Sequence, residues 1–200
     1  MVIKTLIFDA GSVLFKHDWK TIKDYILKRH NFSVWLYSDH PKKVQDKYKG
    51  LQIGKTSFRE VLKGLSGQKD ITQILKDYEA GYKKSQKVNS RLLSFLKKIK
   101  NRYQLFCLTN TNDIHYKLNI KHGFFKDFKK VYASSKIKLQ KPDKRAYLVV
   151  LKENHIKPQE TIFVDDRPEN LTIARKLGMK ALIFKDNKQF FKDLAKYNIK

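Results

Sequence analysis

The segment TIFVDDRPENLTIARKLGM, residues 161–179, contains a complete strand-to-helix unit and decides the fold. Its first four residues predict a buried strand, and the pair Asp165-Asp166 follows at the end of that strand. The helix predicted over 168–177 has a proline at its start and ends before Gly178, which are two features typical of helix termini. The segment therefore predicts a strand, an acidic turn and a helix in immediate succession.

The same alternation of apolar runs and helical patterns continues through the rest of the second half of the chain. Strands are predicted over 103–108, 131–133 and 180–184, and helices over 114–122 and 143–155, with a last helix marked by Phe190, Phe191 and Leu194. Near the N-terminus, Leu6-Ile7-Phe8 predicts a first strand. Strands separated by helices of about ten residues are typical of an α/β fold with a doubly wound parallel sheet and helices on both faces.

Residues 16–90 break this rhythm, because helical patterns follow one another there without a convincing strand. Helices are predicted over 19–28, 41–51, 56–65 and 71–84, with Thr56 and Asp70 as start signals. An insertion at this place would cover the C-terminal end of the first strand, where open α/β sheets bind ligands. We therefore predict an α/β core formed by residues 1–15 and 91–200, and a helical cap formed by residues 16–90.

The composition of the 200-residue chain limits the class of protein. An apolar content of 41%, with 13 Phe and 10 Tyr, is enough to build a core. The single Cys107 excludes a disulfide framework and a multi-cysteine zinc site, and it fits a reducing compartment. No run approaches the roughly 18 apolar residues of a membrane helix. We therefore expect a cytoplasmic protein without a membrane partner.

The net charge of +25 is extreme for this length, with 44 Lys and Arg against 19 Asp and Glu. Only 7 of the basic residues are arginine, the residue that pairs bidentately with phosphates, and the 37 lysines are scattered along the chain. A solvated lysine surface and a polyanion-binding face both agree with this pattern. In either case the field draws anionic ligands toward the protein and fades with salt.

Four polar features stand at the C-terminal ends of predicted strands: Asp9, Thr109, Lys141 and the pair Asp165-Asp166. Taken singly, an aspartate in such a place is often a helix cap or a turn residue, and one lysine among 37 carries no information. Two adjacent carboxylates, however, repel each other unless a cation or a base lies near them. Since parallel strands end at one edge of the sheet, we expect the four features to converge on one crevice.

Four segments resemble motifs of the haloacid dehalogenase-like hydrolases, and they occur in the order and spacing of that family. They are FDAGSVLF (8–15), LTNTN (108–112), KPD (141–143) and FVDDRPENLTIARKLGM (163–179). The resemblance covers nearly the full chain and is closest to the phosphatase subgroup with a small helical cap, which includes glucose-1-phosphatase-like proteins and the N-terminal domain of soluble epoxide hydrolases. It implies a Mg²⁺-dependent phosphatase that hydrolyses a small phosphomonoester such as a sugar phosphate.

The resemblance implies phosphoryl transfer through an aspartyl phosphate, with Asp9 as the nucleophile. It also implies a Mg²⁺ site held by Asp165, with Asp166 as a second ligand or an outer partner. The Asp9 carboxylate and the main-chain carbonyl of Gly11 would complete the protein ligands. An ion bound there would cancel the repulsion between the carboxylates and an anionic phosphate.

Four residues are implied as contacts of the phosphate group. Thr109 would donate a hydrogen bond to a phosphoryl oxygen, and Lys141 would supply a fixed cation for the charge of the transition state. Lys141 would also keep the nucleophile ionised. Asn110 and the main chain of Ser12 are implied as further substrate contacts.

Two positions depart from the family pattern. Phosphatases of the family usually carry a second aspartate two residues after the nucleophile, which protonates the leaving group, and this chain has Gly11 there. Three consequences are open: a preference for good leaving groups, a substitute acid such as His17, or phosphate binding without catalysis. Lys138, three residues before Lys141, stands where the subgroup often has glycine.

Two functions from different classes remain open at this point. The dehalogenase branch of the family also lacks the second aspartate, but it lacks the metal as well, so the pair Asp165-Asp166 favours a metal-dependent phosphatase. The alternative is a catalytically weak member of the fold that binds nucleic acid or another polyanion. Gly11 and the net charge of +25 motivate this alternative.

Overall fold

The computed structural model describes residues 2–31, 46, 48, 50–66 and 70–199. Five parallel strands form the central sheet in the order β5-β4-β1-β6-β7, and β2 pairs antiparallel with β3. The strands are β1 (Thr5–Phe8), β2 (Phe15–His17), β3 (Gln86–Val88), β4 (Gln104–Thr109), β5 (Lys130–Ala133), β6 (Thr161–Asp165) and β7 (Lys180–Ile183). This topology confirms the predicted doubly wound α/β fold.

The helices that the structure describes cover the sheet and fill the segment between β2 and β3. They are α1 (Trp19–His30), α2 (Phe58–Ser66), α3 (Ile71–Ser85), α4 (Ser90–Ile99), α5 (Asp113–Lys121), α6 (Ser134–Ile137), α7 (Lys144–Glu153), α8 (Pro168–Lys176) and α9 (Asn187–Ala195). In the described part of the chain, none of them combines the length and apolar character that a bilayer crossing requires.

The sheet is buried on both faces, which is why its strands are nearly continuous apolar runs. Leu6 of β1 belongs to an apolar layer formed with α4 and α9, whereas its neighbour Ile7 belongs to the layer formed with α7 and α8. β1 is central, since Leu6 is in register with Leu105 of β4 and Ile162 of β6. The residues that follow β1, β4 and β6 are therefore neighbours at one edge of the sheet.

Several helix boundaries follow signals that the sequence carries. As predicted, Asp70 and Asp143 cap α3 and α7, and their carboxylates accept hydrogen bonds from main-chain N–H groups of the first turn. Gly178 follows the end of α8 with a φ of 87°, a conformation that favours glycine. These local signals explain why the predicted and observed boundaries of α7 and α8 nearly coincide.

Other boundaries differ from the prediction. The helix predicted over 56–65 begins at Phe58, because the Ser57 hydroxyl accepts a hydrogen bond from the Glu60 N–H and so marks the start. The helix predicted over 41–51 lies largely outside the described residues. The strands β2 and β3 and the helix α6 were not predicted, since three or four residues are too few to show a period.

The helical segment between β2 and β3 has an apolar cluster of its own, which Leu118 of α5 joins. The buried members from α1, α2 and α3 include Ile22, Ile26, Phe58, Val61, Leu62, Ile74, Tyr78 and Tyr82. The helical segment also contacts residues that follow β4 and β5. The Phe58 N–H donates to Asp113 at 3.0 Å, and a side chain at Gly54 would collide with the Ser135 carbonyl. The division of the chain into core and cap stays a prediction. The contacts of the helical segment with Asp113 and Ser135, which follow β4 and β5, agree with it.

A stack of rings joins the helical segment to α5. The ring of His115 lies 4.7 Å from that of Tyr82, and its Nε2 is 2.7 Å from the Tyr78 hydroxyl. The ring of His17 lies 4.0 Å from Tyr82, and its Nδ1 is 3.0 Å from Ser85 Oγ. Burial lowers the pKa of His115 to about 3 and that of His17 to about 4. Both imidazoles are therefore neutral near pH 7.

We expect the free energy of unfolding to fall on acidification from pH 7 to pH 5, because His115 and His17 both have lowered pKa values. The unfolded chain binds a proton at the His115 imidazole near its ordinary pKa of 6.5, whereas the folded chain does so only near 3. The same difference applies to His17, which the folded chain protonates only near 4. Between these values the unfolded state binds more protons, so stability decreases by up to about 1.4 kcal/mol per pH unit for each imidazole. Urea denaturation at the two pH values measures the change. His115→Phe keeps a stacking ring and should show a smaller change, and an unaltered change would contradict the assignment.

Candidate active site

Three of the residues that the sequence singled out come from neighbouring strand ends, whereas Lys141, also predicted at a strand end, follows a short helix instead. Asp9 directly follows β1, Thr109 ends β4 and Asp165 ends β6, and these three strands are adjacent in the sheet. Lys141 lies in the connection between α6 and α7. The structure brings Asp9, Lys141 and Asp165 into direct contact, and Thr109 is buried at the end of the adjoining strand.

The Lys141 ammonium lies between two carboxylates. Its Nζ is 2.7 Å from Asp9 Oδ1 and 2.6 Å from Asp165 Oδ2. The side chains of Lys141 and Asp165 are 1% and 0% exposed, whereas that of Asp9 keeps an exposed fraction of 11%. Asp9 is therefore the member of this trio that a ligand entering the crevice would meet.

The charges of this trio shift one another. Burial raises the pKa of Asp9, the Lys141 ammonium opposes this rise, and the Asp165 carboxylate adds to it. Burial alone would lower the pKa of Lys141, but the two carboxylates raise it above its ordinary value. The lysine therefore remains protonated and acts as a fixed cation beside Asp9.

Asp165 is held by three donor groups. The Asn170 Nδ2 donates to Oδ1 and Oδ2 at 2.9 and 3.0 Å, the Arg167 N–H donates to Oδ1 at 2.9 Å, and Lys141 supplies the third contact. Asn170 was not among the predicted site residues, although its place in the first helical turn after the acidic pair is a signal that the sequence contains. These bonds make Asp165 an anchor for the Lys141 ammonium.

We expect Asn170→Ala to lower the free energy of unfolding by about 1.5–3 kcal/mol, because a buried carboxylate would lose a charge-assisted donor. Urea denaturation followed by tryptophan fluorescence measures this loss. Asn101→Ala, at an exposed position, is the control and should change stability little. A loss in Asn170→Ala no larger than that of the control would contradict the anchoring role.

The side chain of Asn110 fixes the main chain at Lys141. Its Nδ2 donates to the Lys141 carbonyl and its Oδ1 accepts from the Lys141 N–H, both at 2.8 Å. The sequence suggested Asn110 as a substrate contact, but the structure commits both polar atoms of its amide to the lysine. A similar link ties the next residue to α6, since the Thr111 N–H donates to Ser134 Oγ at 2.9 Å. Both links position the lysine relative to β4.

Three carboxylates form a cluster with the spacing of a metal site. One oxygen from each of Asp9, Asp165 and Asp166 lies within 4.8 Å of the others. Asp166 is half-buried, and burial followed by the charge of Asp165 raises its pKa, which the Ser12 side chain opposes. Three carboxylates against one ammonium leave an excess of negative charge. An all-oxygen donor set of this kind fits Mg²⁺.

The two positions that depart from the resembling family have clear geometry. An added Cβ at Gly11 would meet no heavy atom within 4 Å, so there is room for a side chain. Lys138 has a φ of 57°, in the left-handed region that favours glycine. The loop before Lys141 thus keeps a glycine-like conformation with a lysine in that place.

His17 lies outside the carboxylate cluster. Its Nδ1 contacts Ser85, its ring packs on Tyr82, and its lowered pKa of about 4 leaves it unprotonated near pH 7. A neutral imidazole has no readily transferred proton for a leaving group. The structure therefore gives no support to His17 as a substitute for the missing acid.

Comparison with known proteins gives a consistent result at the level of sequence. The family model described as haloacid dehalogenase-like hydrolase matches residues 21–184. The D-ribitol-5-phosphate phosphatase of Bacteroides thetaiotaomicron is 25% identical over 186 residues, which cover 88% of this chain and 89% of that protein. A sesquiterpene phosphatase of Aspergillus oryzae is 27% identical over 190 residues, which cover 92% of this chain and 91% of that protein.

Solved structures of similar proteins extend this result to the fold. A haloacid dehalogenase family enzyme from Bacteroides thetaiotaomicron, crystallised with magnesium and inorganic phosphate, superimposes with a TM-score of 0.76 at 26% identity, over 94% of this chain and 99% of that one. A hydrolase of the same fold from Porphyromonas gingivalis superimposes with a TM-score of 0.79 at 22% identity, over 100% of both chains. The whole described architecture, including the helical segment, is shared with these structures.

Proposed function

The chain belongs to the haloacid dehalogenase-like hydrolases, and on that premise we propose that it is a Mg²⁺-dependent phosphatase acting on a small phosphomonoester. The observation that carries the proposal is the Lys141 ammonium placed between Asp9 and Asp165, with Asp166 beside them. Two relatives across nearly the full length are phosphatases by name. A magnesium and phosphate complex of a structural neighbour agrees with the same chemistry.

Asp9 is the proposed nucleophile. One of its carboxylate oxygens attacks phosphorus, and the bond to the ester oxygen breaks with its electron pair leaving on that oxygen. Water then attacks phosphorus in the aspartyl phosphate, which returns the carboxylate and releases inorganic phosphate. Lys141 stabilises the negative charge of both transition states without moving, because Asp165 and the Asn110 amide hold it in place.

The proposed metal ligands are Asp9, Asp166 and the main-chain carbonyl of Gly11, with Asp165 at the edge of the site. This order of roles differs from the one that the sequence suggested, because the oxygens of Asp165 already accept from Lys141 and Asn170. The bound ion supplies positive charge between the carboxylates and the phosphate. Thr109 and the main chain of Ser12 remain the proposed contacts of the phosphoryl oxygens.

The substrate of this proposal is small. The helical segment contacts the residues beyond β4 and β5 through the Phe58–Asp113 hydrogen bond and the close approach of Gly54 to Ser135. From these two contacts we infer that the helical segment lies over the strand ends and restricts access by a polymer. A sugar phosphate or another small phosphomonoester suits such an enclosed site.

Gly11 supplies no acid for protonating the leaving group, so the proposed enzyme should prefer substrates with a good leaving group. We therefore expect Gly11→Asp to increase kcat. An added Cβ at this position meets no heavy atom within 4 Å, and the carboxyl group of an aspartate there would protonate the leaving oxygen. The gain should be about 10²-fold for alkyl phosphates and smaller for p-nitrophenyl phosphate, whose leaving group needs little help. Initial rates on both substrates measure it, and Gly11→Asn, which cannot donate an acidic proton, is the matched control. Equal rates in both variants would contradict the expectation.

A phosphate-release assay with Mg²⁺ tests the proposal as a whole. The protein should release phosphate from p-nitrophenyl phosphate and from members of a phosphometabolite panel. EDTA should stop this release, and excess Mg²⁺ should restore it. No release from any substrate at saturating Mg²⁺ would overturn the proposal.

The net charge of +25 supports a second candidate function, the binding of nucleic acid or another polyanion by a catalytically weak protein. Its mark would be micromolar or tighter binding of a random oligonucleotide, with steep salt dependence, in a protein that shows no hydrolysis. Loss of all binding at about 0.15 M salt would assign the charge to a solvated lysine surface.

A further inference from the structure

A second cleft lies beside the carboxylate cluster, on the β7 side of the sheet edge. Its volume is about 230 Å³, and its walls come from β2, from β3 and from the segments that follow β1, β3 and β7. Its cationic and uncharged polar lining residues are Ser12, Lys16, Lys87, Asn89, Lys185 and Asn187. Ser12 lines this cleft and lies three residues after Asp9 of the carboxylate cluster. The volume suits a small metabolite rather than a large organic ligand.

Two lysines of this cleft are set against each other. Lys16 and Lys87 are directly opposite in the antiparallel pair of β2 and β3. Like charges at such positions destabilise the pairing of strands. Lys185 lines the same cleft from the β7 side, and none of these three exposed lysines has a carboxylate partner within ion-pair distance in the described part of the chain. The cleft therefore concentrates cationic groups.

The carboxylates near the cleft already accept hydrogen bonds from the first turns of the helices that they cap. Asp186, which lines the cleft, accepts a hydrogen bond from the Gln189 N–H at 2.8 Å. Asp18 accepts from the Thr21 hydroxyl at 2.8 Å and from the Lys20 N–H at 3.2 Å. Three lysines thus line the cleft with one aspartate, and the net charge of the lining is positive.

The shape of the cleft is fixed by a pair of asparagines. Asn89 Nδ2 donates to the Val13 carbonyl at 2.9 Å and to Asn187 Oδ1 at 3.1 Å, and Asn187 Nδ2 donates back to Asn89 Oδ1 at 2.9 Å. These bonds tie the segment after β1, the start of α4 and the start of α9 to one another. The walls of the cleft are therefore preorganised before any ligand enters.

We propose that this cleft binds a small anion carrying a phosphate group, between Lys16, Lys87 and Lys185 and apart from the carboxylate cluster. An anion placed there would replace the repulsion between the two opposite lysines with two attractive contacts. It would also link the two strands that lead into and out of the helical segment to the β7 side of the core. The proposal does not depend on the phosphatase activity.

Thermal unfolding with inorganic pyrophosphate tests the proposal. The protein is kept free of metal with EDTA at low ionic strength, and NaCl of equal ionic strength serves as the reference. Without pyrophosphate, Lys87→Gln should unfold about 1–3 °C higher than the wild type, because the repulsion is relieved. With pyrophosphate, the variant should bind about tenfold more weakly. Lys152→Gln removes an exposed lysine of α7 and should match the wild type in both respects.

Amide chemical shifts of the ¹⁵N-labelled protein locate the bound anion. Pyrophosphate should shift the signals of residues 12–16, 86–89 and 184–187 in the wild type, and Lys87→Gln should lose these shifts. Two results would overturn the proposal: shifts confined to the surroundings of Asp9, or equal weakening by Lys87→Gln and Lys152→Gln, which would indicate a general charge effect.

Discussion

Asp9→Asn should abolish phosphate release while the protein stays folded. An amide oxygen does not act as the nucleophile toward phosphorus, so we expect kcat to fall by about four orders of magnitude or more. The replacement is nearly isosteric, and Lys141 keeps its 2.6 Å contact with Asp165. The loss is therefore expected in the chemistry and not in the fold.

Initial rates with p-nitrophenyl phosphate and Mg²⁺ measure this loss, and thermal unfolding checks that the variant is folded. Asp24→Asn, at an aspartate of α1 that pairs with Lys20 outside the carboxylate cluster, is the matched control and should keep the wild-type rate. Acid-quenched wild-type protein should carry a phosphate adduct on the peptide that contains Asp9. If the Asp9→Asn variant kept more than a small fraction of the wild-type rate, the assignment of the nucleophile would be contradicted.

The fold was predictable because its signals are local and periodic. The buried run Leu6-Ile7-Phe8 and the strand–acid–helix unit over 161–179 each carry a strand in a few residues. Parallel strands place their ends at one edge, so the meeting of Asp9 and Asp165 followed from topology. Lys141, which the sequence placed at a strand end, reaches them from the connection between α6 and α7. The strands β2 and β3 escaped prediction because a three-residue strand has no period to read.

The internal order of the candidate site could not be predicted, because it depends on hydrogen bonds between distant segments. The sequence presents Asp165 and Asp166 as equal neighbours, but the structure buries the first against Lys141 and Asn170 and leaves the second half-buried. In the same way, the sequence suggested Asn110 as a substrate contact, and only the structure shows that its amide bonds the main chain of Lys141. Residue types and spacing identify such a site, whereas burial and partners assign the roles within it.

We expect Lys141→Met to cause the largest loss of stability among single changes at this site. Methionine keeps the length of the side chain but removes the cation that Asp9 and Asp165 share. Breaking a buried ion pair on one side costs about 3–5 kcal/mol, because an uncompensated charge stays inside the protein. Urea denaturation in the presence of EDTA measures the loss without help from a divalent cation. A loss below about 1 kcal/mol, in the range of an exposed ion pair, would show that the trio is not a buried network.

A double-mutant cycle with Asp165→Asn separates this electrostatic loss from a packing defect. Asparagine keeps the shape of Asp165 and still accepts from the Arg167 N–H, but it carries no charge that needs the lysine. If the stability loss in Lys141→Met comes from an uncompensated carboxylate, adding Asp165→Asn should recover about 1–3 kcal/mol of it. If methionine merely fits the space poorly, the two losses should add within about 0.5 kcal/mol. A positive coupling energy would establish that Asp165 acts through Lys141. The cation beside Asp9 would then be held by a residue, Asp165, that does not itself meet the substrate.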